Sequence, residues 1–406
     1  MQFDPNAQSA VTVILMVLYF VIVMGIVIYI QGKMTLKNRR CKALEDKIYP
    51  SVDSFITDLP ESKAKLPLRD YYIKSAYNCC AVGLYKNSYV SLCALNACLG
   101  QGNRFLDFEI YSIDKKPVVA VSSLPDFNIK ESYNSISLNK VLAHIAENAF
   151  SSGSCPNSGD PLFLNFRIKS KHPEIYDATA ALIYKHLESR TLGNYKKKFG
   201  YANSGSPTGV PKNLFGPEDG PHGQNDGISF KNAKNRVIII VEKTMAGLLE
   251  NSKLYEYVNA ISGEGFIHTF RYTQGIKNTH DPDSLIHSSK RGGMIVLPDL
   301  KASDANYNFF LAKSYGCQFM CMAVQEFDEN LEAYDIFFGE AGSAFVKKPD
   351  NQILQIDILE ETTPANIKHN YNKSGTRSMG GGTALVSGLA PADEDDLASG
   401  NITYRK

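Results

Sequence analysis

The sequence lacks both a large net charge and the common enzyme motifs. Its 43 basic and 42 acidic residues leave a net charge of +1, which excludes a strongly basic nucleic-acid-binding protein. It contains no Walker loop, no G-x-S-x-G, no H-E-x-x-H and no paired C-x-x-C, so the usual enzyme classes lack their signatures. With 44% hydrophobic residues the chain has an ordinary globular composition, for which one large core is expected.

One long hydrophobic run stands out. Residues 11–30 carry no charge and are long enough to cross about 30 Å of hydrocarbon. No small-residue cleavage site follows and no basic segment precedes them, which predicts a retained single-pass anchor, not a removed signal peptide. The basic residues that follow the run are Lys33, Lys37, Arg39, Arg40, Lys42 and Lys47. By the positive-inside rule they place the C-terminal part of the chain on the cytosolic side.

The cysteines lie mostly inside apolar strand or helix patterns and not in a spaced, loop-rich framework. They are Cys41, Cys79, Cys80, Cys93, Cys98, Cys155, Cys317 and Cys321. This placement is typical of reduced core thiols and agrees with a cytosolic side. Cys41 is the exception, because it lies close enough to the membrane to be a candidate for palmitoylation.

Hydrophobic periodicity predicts strands that alternate with helices. The predicted strands are residues 71–77, 104–111, 117–122, 162–168, 236–242, 266–273, 294–298 and 318–325. The predicted helices include residues 88–100, 137–150, 174–189 and 244–261. This order predicts an α/β fold, a TIM-type (β/α)8 barrel preceded by one transmembrane helix. A long loop is predicted at residues 199–227, and a further strand is a candidate at residues 353–359. The acidic segment after residue 374 indicates a flexible tail.

Two carboxylates stand close together on one predicted strand. In residues 104–111 (RFLDFEIY), Asp107 and Glu109 share a face because successive side chains of a strand point to opposite sides. Two buried carboxylates repel each other and need a cation, a proton or a basic neighbour. A solvated edge strand that carries acids is the alternative for this segment alone.

A series of motifs surrounds this strand. Residues 67–80 read PLRDYYIKSAYNCC, residues 102–111 GNRFLDFEIY, and residues 116–122 KPVVAVS. Residues 149–151 read AFS, residues 161–167 PLFLNFR, residues 315–325 YGCQFMCMAVQ, and residues 342–349 GSAFVKKP. In this order the segments resemble the P-L-S-H-Y-F-I-S-S-S-H-N-T-Y, G-x-R-x-L-E-L-D-V-W, P-V-V-Y-H-G, A-F, P-V-I-L-S-L-E, G-C-Q-M-V-A-L-N-F-Q and G-Y-V-L-K-P patterns of the phosphatidylinositol-specific phospholipase C family.

The resemblance implies a division of the chain. Residues 66–349 would form the catalytic-type barrel, with an X-like half at 66–198, a loop at 199–229 and a Y-like half at 230–349. Residues 1–32 would be the transmembrane anchor, residues 33–65 a basic juxtamembrane linker, and residues 350–406 a C-terminal extension and flexible tail.

The resemblance also implies that catalysis is lost. Tyr77 and Val121 stand where the family has its two catalytic histidines, and neither side chain can replace an imidazole near neutral pH. Ile240 and Glu242 fall roughly where the family has phosphate-binding lysines. Phe270 replaces an arginine of the family. Tyr272 remains as a weak candidate for stacking on a substrate ring.

The family's calcium site is degenerate in this chain. By resemblance its positions are Asn78, Asp107, Glu109 and Arg167, with a guanidinium in place of the last carboxylate. This change shifts the local charge by two units and serves a hard, oxygen-preferring dication poorly. We therefore predict that Arg167 forms a fork-like ion pair with Asp107 or Glu109, and that calcium is a cofactor only if the site is active.

No histidine falls at a family motif position. The eight are His144, His172, His186, His222, His268, His280, His287 and His369. His268 alone lies near the end of a predicted barrel strand, where a hydrogen-bonded structural role is the simpler interpretation.

These observations leave three functions open. The first is a membrane-anchored, inactive phospholipase C-like barrel with a structural or binding role. The second is an active phosphoinositide phosphodiesterase with displaced catalytic residues, and the third a sensor of lipid headgroups. The chain also resembles anchored barrels of large DNA viruses, which implies a minor capsid or virion inner-membrane protein that tethers membrane to capsid. The expected partners are then the bilayer, through residues 11–30, and capsid or other membrane-proximal proteins, with no nucleic acid.

Overall fold

The structure is a computed structural model. It describes residues 5–48, 56–125, 129–192, 215, 228–243, 247–263, 267–300, 305–354, 376–379 and 382–385. Residues 1–354 form one compact unit and residues 355–406 a second. In the second unit, β12 (Thr376–Met379) and β13 (Gly382–Leu385) pair antiparallel.

The first unit alternates strands and helices. Its strands are β1 (Tyr71–Ala76), β2 (Phe105–Ile113), β3 (Lys116–Val119), β4 (Ile136–Ser137), β5 (Leu162–Lys169), β6 (Val237–Glu242), β7 (Ala260–Ser262), β8 (Ile267–Arg271), β9 (Gly293–Leu297), β10 (Phe319–Met322) and β11 (Phe345–Lys347). Its α-helices are α1 (Pro5–Ile48), α2 (Leu92–Gly100), α3 (Leu138–Asn148), α4 (Pro173–Leu187), α5 (Phe230–Ala233), α6 (Pro282–Arg291), α7 (Phe309–Ser314) and α8 (Glu329–Ala341).

Eight parallel strands form a nearly closed barrel, in the order β7-β6-β5-β2-β1-β10-β9-β8. The predicted α/β barrel is confirmed. The outer strands of this order, β7 and β8, are consecutive in the chain and contact each other. Because parallel strands need crossover connections, helices cover the outer surface of the sheet. The ends at which the strands finish form the mouth of the barrel, and the opposite ends form its base.

Alternation along the strands separates two apolar layers. Phe105 and Phe163 point into the barrel, where they pack with Phe319 and with Phe215 near the base. The alternate residues of β2 and β5 pack outward against α3 and α4; they include Leu106, Phe108, Ile110, Leu164, Phe166 and Ile168. The interior is therefore filled with aromatic rings at its base, and the polar residues of β2 and β5 lie above them.

Two of the predicted elements are wrong. Residues 117–122 were expected as a barrel strand, but β3 pairs antiparallel with β2 and lies outside the eight-strand order. The predicted helix at 244–261 contains a 3-10 turn at Lys253–Glu256 and the barrel strand β7. Both segments are apolar, as the sequence shows. Strand propensity cannot show, however, which neighbouring strand a segment pairs with. Most of the predicted loop at 199–227 and of the strand at 353–359 lies outside the described residues.

The N-terminal helix is continuous from Pro5 to Ile48. Within the described residues, the part from Thr12 to Asp46 is the one helix long and apolar enough to cross a membrane. The helix does not stop at the end of the apolar run, so the first part of the predicted linker is helical.

A disulfide joins Cys41 of α1 to Cys93 of α2. The expectation of a reduced core thiol is therefore wrong for Cys93, and the bonded Cys41 has no free thiol for palmitoylation. The six other cysteines are free and buried. Cys41 lies in a charged helical segment and Cys93 in an apolar one, and only the packing of α1 on α2 brings the two together.

Candidate functional site at the barrel mouth

The four calcium-position residues meet inside the barrel near its mouth. Strands β2 and β5 pair in register, so that Asp107 lies beside Asn165 and Glu109 beside Arg167. The side chains of Asp107, Glu109, Asn165 and Arg167 point inward, because they alternate with the outward apolar residues of the same strands. Asp107 and Arg167 are fully buried and Glu109 is 1% exposed. Asn78 follows β1 with a positive φ of 46°, a conformation that asparagine tolerates.

Arg167 binds both carboxylates. Its Nε donates to Asp107 Oδ1 at 2.8 Å and its Nη2 to Asp107 Oδ2 at 2.6 Å, a bidentate pair. Its Nη1 donates to Glu109 Oε1 at 2.7 Å, and Nη2 also donates to Asn78 Oδ1 at 2.9 Å. The predicted ion pair is confirmed, and it includes both acids. The guanidinium thus contacts Asn78, Asp107 and Glu109 together.

The carboxylate oxygens have further donors. Asn165 Nδ2 donates to Asp107 Oδ1 at 2.8 Å, and the Asn78 backbone N–H to Asp107 Oδ2 at 3.2 Å. The Tyr111 hydroxyl and the Ser122 backbone N–H donate to Glu109 Oε2, at 2.8 and 3.0 Å. A buried charge is tolerable when it is paired and hydrogen-bonded, and both acids meet that condition.

The charge of Arg167 is stabilised by its surroundings. Burial by itself would lower the pKa of the guanidinium. Asp107, Tyr77 and Glu109 raise the pKa of Arg167 more strongly, so that it lies well above its usual value. The group therefore stays protonated near neutral pH.

Tyr77, for which the resemblance predicts a catalytic histidine, lies close to two arginines. The guanidinium carbon of Arg167 lies 4.8 Å from the centre of the Tyr77 ring, and that of Arg271 lies 5.7 Å away. Arg271 Nη1 donates to the Tyr77 hydroxyl at 3.1 Å and to the Pro298 carbonyl at 2.6 Å. Burial raises the pKa of Tyr77 despite both arginines. Tyr77 therefore cannot serve as a base near neutral pH.

Val121, for which the resemblance predicts the second catalytic histidine, has no titratable group. Val121 is fully buried and packs in the apolar layer outside the barrel strands. Its neighbour Ser122 contacts Glu109 through the backbone N–H alone. Neither Tyr77 nor Val121 therefore provides a group that titrates near neutral pH.

The residues present do not fit calcium. Asp107, Glu109 and the Asn78 amide supply oxygens, but the Arg167 nitrogens lie 2.6 to 2.9 Å from those oxygens, in the space where a cation would bind. A dication there would repel the guanidinium and would have one carboxylate fewer than the family pattern. In the described part of the chain, no group of three or more His, Cys, Asp or Glu residues could hold a metal ion.

The other predicted residues are spread around the barrel. The Tyr272 ring stacks on Tyr307, with ring centres 4.5 Å apart. Ile240 lies in the apolar interior, and Glu242 pairs with Lys169 at 3.5 Å. His268 packs beside Phe270 on β8. Two histidines, His222 and His369, lie outside the described residues, and no hydrogen bond of Asp107 or Glu109 involves a described histidine.

Sequence reasoning missed three residues of the mouth. Arg271 is the cation that donates a hydrogen bond to the Tyr77 hydroxyl. It lies one position beyond the residue compared with the family arginine, so a shift of register by one residue would have found it. Asn165 shares the inward face with Arg167, a signal that strand alternation carries. Tyr85 contacts the edge of the Tyr77 ring, with ring centres 5.3 Å apart, and no local pattern reveals this long-range contact.

Comparison with solved structures agrees with this architecture. The chain is similar to PLC21 of S. officinalis, with a TM-score of 0.55 and 15% identity over 72% of this chain. It is similar to PLC21 of L. pealei with a TM-score of 0.53 and 17% identity over 70% of this chain. The fold is that of a phospholipase C barrel. The phospholipase C-like chain spans 38% of the length of each PLC21 chain. No protein-family model and no curated protein sequence matches it.

Proposed function

We propose that this protein is a membrane-anchored phospholipase C-like barrel that has lost catalysis and acts as a structural or binding protein. One observation carries the proposal: the Arg167 guanidinium lies among Asn78, Asp107 and Glu109, where the family resemblance would require calcium. The ion pair links β2 to β5 and the loop after β1. The buried positive charge of Arg167 thus holds these elements together at the mouth.

The missing proton-transfer groups support the same conclusion. Loss of one positioned acid or base typically costs about 10² to 10⁴ in rate, and both family histidines are replaced here. Tyr77 is uncharged and covered by Arg167 and Arg271. A substrate phosphate at this position would meet two arginines but no group that could move a proton.

The decisive experiment is a hydrolysis assay. The full chain is reconstituted into vesicles containing phosphatidylinositol or its bisphosphate and incubated with calcium, and water-soluble inositol phosphates are measured. We expect no release above protein-free vesicles. Release that disappears when calcium is chelated would overturn the proposal and support the alternative, an active phosphodiesterase with displaced catalytic residues.

The anchor and its side are also part of the proposal. The apolar part of α1 and the basic residues after it support a single-pass protein with the barrel on the cytosolic side. The Cys41–Cys93 disulfide supports the opposite side, because disulfides persist mainly in oxidising compartments. Protease digestion of sealed membranes decides: we expect the barrel to be digested from the cytosolic side, and its protection would show that the disulfide indicates the correct side.

The tether between a viral membrane and a capsid is the most specific form of the proposal. It is supported by the anchor and by the resemblance of the chain to anchored viral barrels. Cross-linking in native membranes tests it. A capsid protein linked to the barrel is expected, and links to lipid-metabolising enzymes alone would contradict it.

A further inference from the structure

The contact of α1 with the barrel is confined to the last part of the helix. Between Thr12 and Gly32 nearly all side chains are exposed. Beyond them a stripe with helical spacing is partly or fully buried; it comprises Lys33, Leu36, Lys37, Arg40, Cys41 and Leu44. Residues three and four apart lie on one face of a helix, so this stripe is the face that packs on the barrel. We name residues 33–48 the docking segment.

The non-covalent contacts of the docking segment are few. The Tyr89 hydroxyl donates to the Lys33 carbonyl at 3.3 Å, and Lys33 Nζ lies 5.7 Å from the centre of the Tyr133 ring. Among the described residues of α1, Leu44 alone is fully buried. The small cluster around it comprises Val82, Ala94 and Ala97. Within the described part of the chain, little more than this cluster holds the segment when its covalent bond is left aside.

The covalent bond of the segment is the disulfide from Cys41 to Cys93 of α2, which lies 52 positions further along the chain. Both cysteines are half-buried at the edge of the Leu44 cluster. Since they are not enclosed, a thiol reagent in solution can approach the bond. Opening the bond leaves the segment joined to the barrel by the small non-covalent contact and by the intervening chain.

The α2 side of the disulfide favours release of a thiolate. Cys93 is the second residue of α2, and its backbone N–H donates to the side chain of the N-cap Ser91 at 3.4 Å. The sequence of α2, LCALNACLG, contains no acidic residue. The first turn of a helix carries a partial positive charge, which stabilises a thiolate placed there. Cys93 is therefore a good leaving group in thiol–disulfide exchange.

The α1 side of the disulfide is positively charged. Residues 33–47 contain six basic and two acidic residues, the acidic ones being Glu45 and Asp46. Cationic neighbours stabilise a cysteine thiolate, as the helix end does at Cys93. Stabilising the thiolates stabilises the reduced protein, and a disulfide whose reduced form is stabilised is more easily reduced. Exposure and charge therefore both indicate a bond that can open and close.

We propose that the Cys41–Cys93 disulfide is a reversible redox switch between the anchor helix and the barrel. In the oxidised protein the bond fixes the docking segment on α2, and so fixes the barrel relative to the apolar part of α1. In the reduced protein the segment separates from α2, and the intervening chain alone joins the barrel to α1. This inference depends neither on lost catalysis nor on a viral partner.

The exchange needs a dithiol reductant, which supplies two electrons. One of its thiolates attacks Cys41 Sγ, the S–S bond breaks, and Cys93 leaves as a thiolate at the N-terminus of α2. The second thiolate of the reductant then attacks the reductant's own sulfur in the mixed disulfide and releases Cys41. The two protons of the dithiol end on Cys41 and Cys93, and the reductant becomes an intramolecular disulfide. The reverse sequence, with an oxidised dithiol, closes the bond.

The protein's own thiols are poorly suited to this exchange. The six free cysteines of the described chain are all buried. Burial raises the pKa of the Cys79 and Cys80 thiols, so both stay protonated near neutral pH. Cys98, within α2, is 2% exposed. The state of the disulfide is therefore set by the redox conditions of the compartment and not by internal exchange.

A switch of this kind changes what the disulfide indicates about the side of the membrane. A permanent disulfide favours an oxidising compartment, whereas a reducible one is open in the cytosol and closes when conditions become oxidising. The switch is thus compatible with the cytosolic side that the basic residues after the apolar run predict.

Digestion with trypsin tests the switch, because trypsin cleaves after lysine and arginine and the docking segment contains six of them. The full chain in detergent micelles is left oxidised or reduced with a dithiol, alkylated, freed of reagent and digested. Cleavage within residues 33–47 is followed by mass spectrometry. We expect reduction to speed this cleavage by about tenfold or more, because proteolysis follows the population of the open form. Cleavage after Arg291, which is exposed at the end of α6, should not change.

Two variants serve as controls. Cys41→Ser and Cys93→Ser lack the bond, so each should be cleaved as fast as the reduced native protein, with no further effect of the dithiol. Two are used so that one that folds poorly, as judged by circular dichroism, leaves the other to decide. Equal cleavage of the oxidised and the reduced native protein would overturn the proposal. An equal rise in cleavage after Arg291 would also overturn it, since the bond would then support the whole fold.

A second measurement tests whether the bond is reducible under cellular conditions. The native chain is equilibrated in glutathione buffers, and the bonded fraction is determined by alkylation with a mass tag. We expect about half or more of the bond to be open in a buffer with the poise of the cytosol. A bond that stays closed in that buffer would be a permanent structural disulfide, and the switch would be wrong.

Discussion

Replacing Arg167 by methionine removes the cation between two buried carboxylates. Methionine has a similar length and packs in apolar surroundings, but it can donate no hydrogen bond. Asp107 and Glu109 would then remain buried, close together and without a cation. We expect the Arg167→Met variant to be strongly destabilised, because an uncompensated buried charge costs far more than the pair contributes.

The magnitude follows from the contacts that are lost. Arg167 makes four hydrogen bonds to three residues, and breaking a buried pair by removing one partner typically costs about 3–5 kcal/mol. For a barrel of this size that loss corresponds to a fall in Tm of roughly 10 °C. The loss should shrink as the pH falls, since the isolated carboxylates can then take up protons and become neutral.

The assay is urea denaturation of the full chain in detergent micelles, followed by far-ultraviolet circular dichroism at several pH values. Arg291→Met is the matched control, because Arg291 is exposed at the end of α6, and we expect a change below about 0.5 kcal/mol. Arg167→Lys keeps the charge without the bidentate geometry and should lie between the two. A loss below about 1 kcal/mol for Arg167→Met, or a loss that does not vary with pH, would refute the reasoning.

Two further predictions concern the rest of the barrel. Burial lowers the pKa of Lys348 to about 7, so unfolding takes up a proton between about pH 7 and the lysine value near 10.5, and stability rises with pH across that window. Lys348→Met should flatten this rise and increase stability at pH 7, by up to about 5 kcal/mol, and an unchanged pH dependence of Tm would contradict it. Gly102 has a φ of +74°, and an added Cβ would lie 2.8 Å from Ile56 Cγ2. Gly102→Ala should therefore cost about 1–3 kcal/mol in urea denaturation, with Gly153→Ala nearly neutral, and equal effects of the two would count against the packing described.

The sequence contains enough information to predict the centre of the site. Strand alternation placed Asp107 and Glu109 on one face, and the motif order placed Arg167 on the neighbouring strand. Two buried acids require a counter-charge, so the ion pair could be predicted before any coordinates. The shared face of the two acids and their need for a counter-charge follow from local periodicity and charge, whereas Arg167 was identified through the family resemblance.

Other features depend on contacts that periodicity does not show. Strand β7 has three residues and lies next to a 3-10 turn, too short for an alternating pattern to be recognised. Strand β3 pairs antiparallel with β2, but its residues have a strand propensity that would fit a parallel barrel strand equally well. Cys41 and Cys93 are 52 residues apart, and their bond depends on how α1 packs. Arg271 reaches Tyr77 from a strand 194 residues later in the chain.

The most direct test of the account is a calcium titration of the full chain in micelles by isothermal calorimetry. We predict no saturable binding to the native protein, since Arg167 occupies the space between the oxygens, and binding to Arg167→Glu, which restores the missing carboxylate. Tight, stoichiometric calcium binding to the native chain that is weakened by Asp107→Asn would contradict the central claim that a guanidinium replaces the metal.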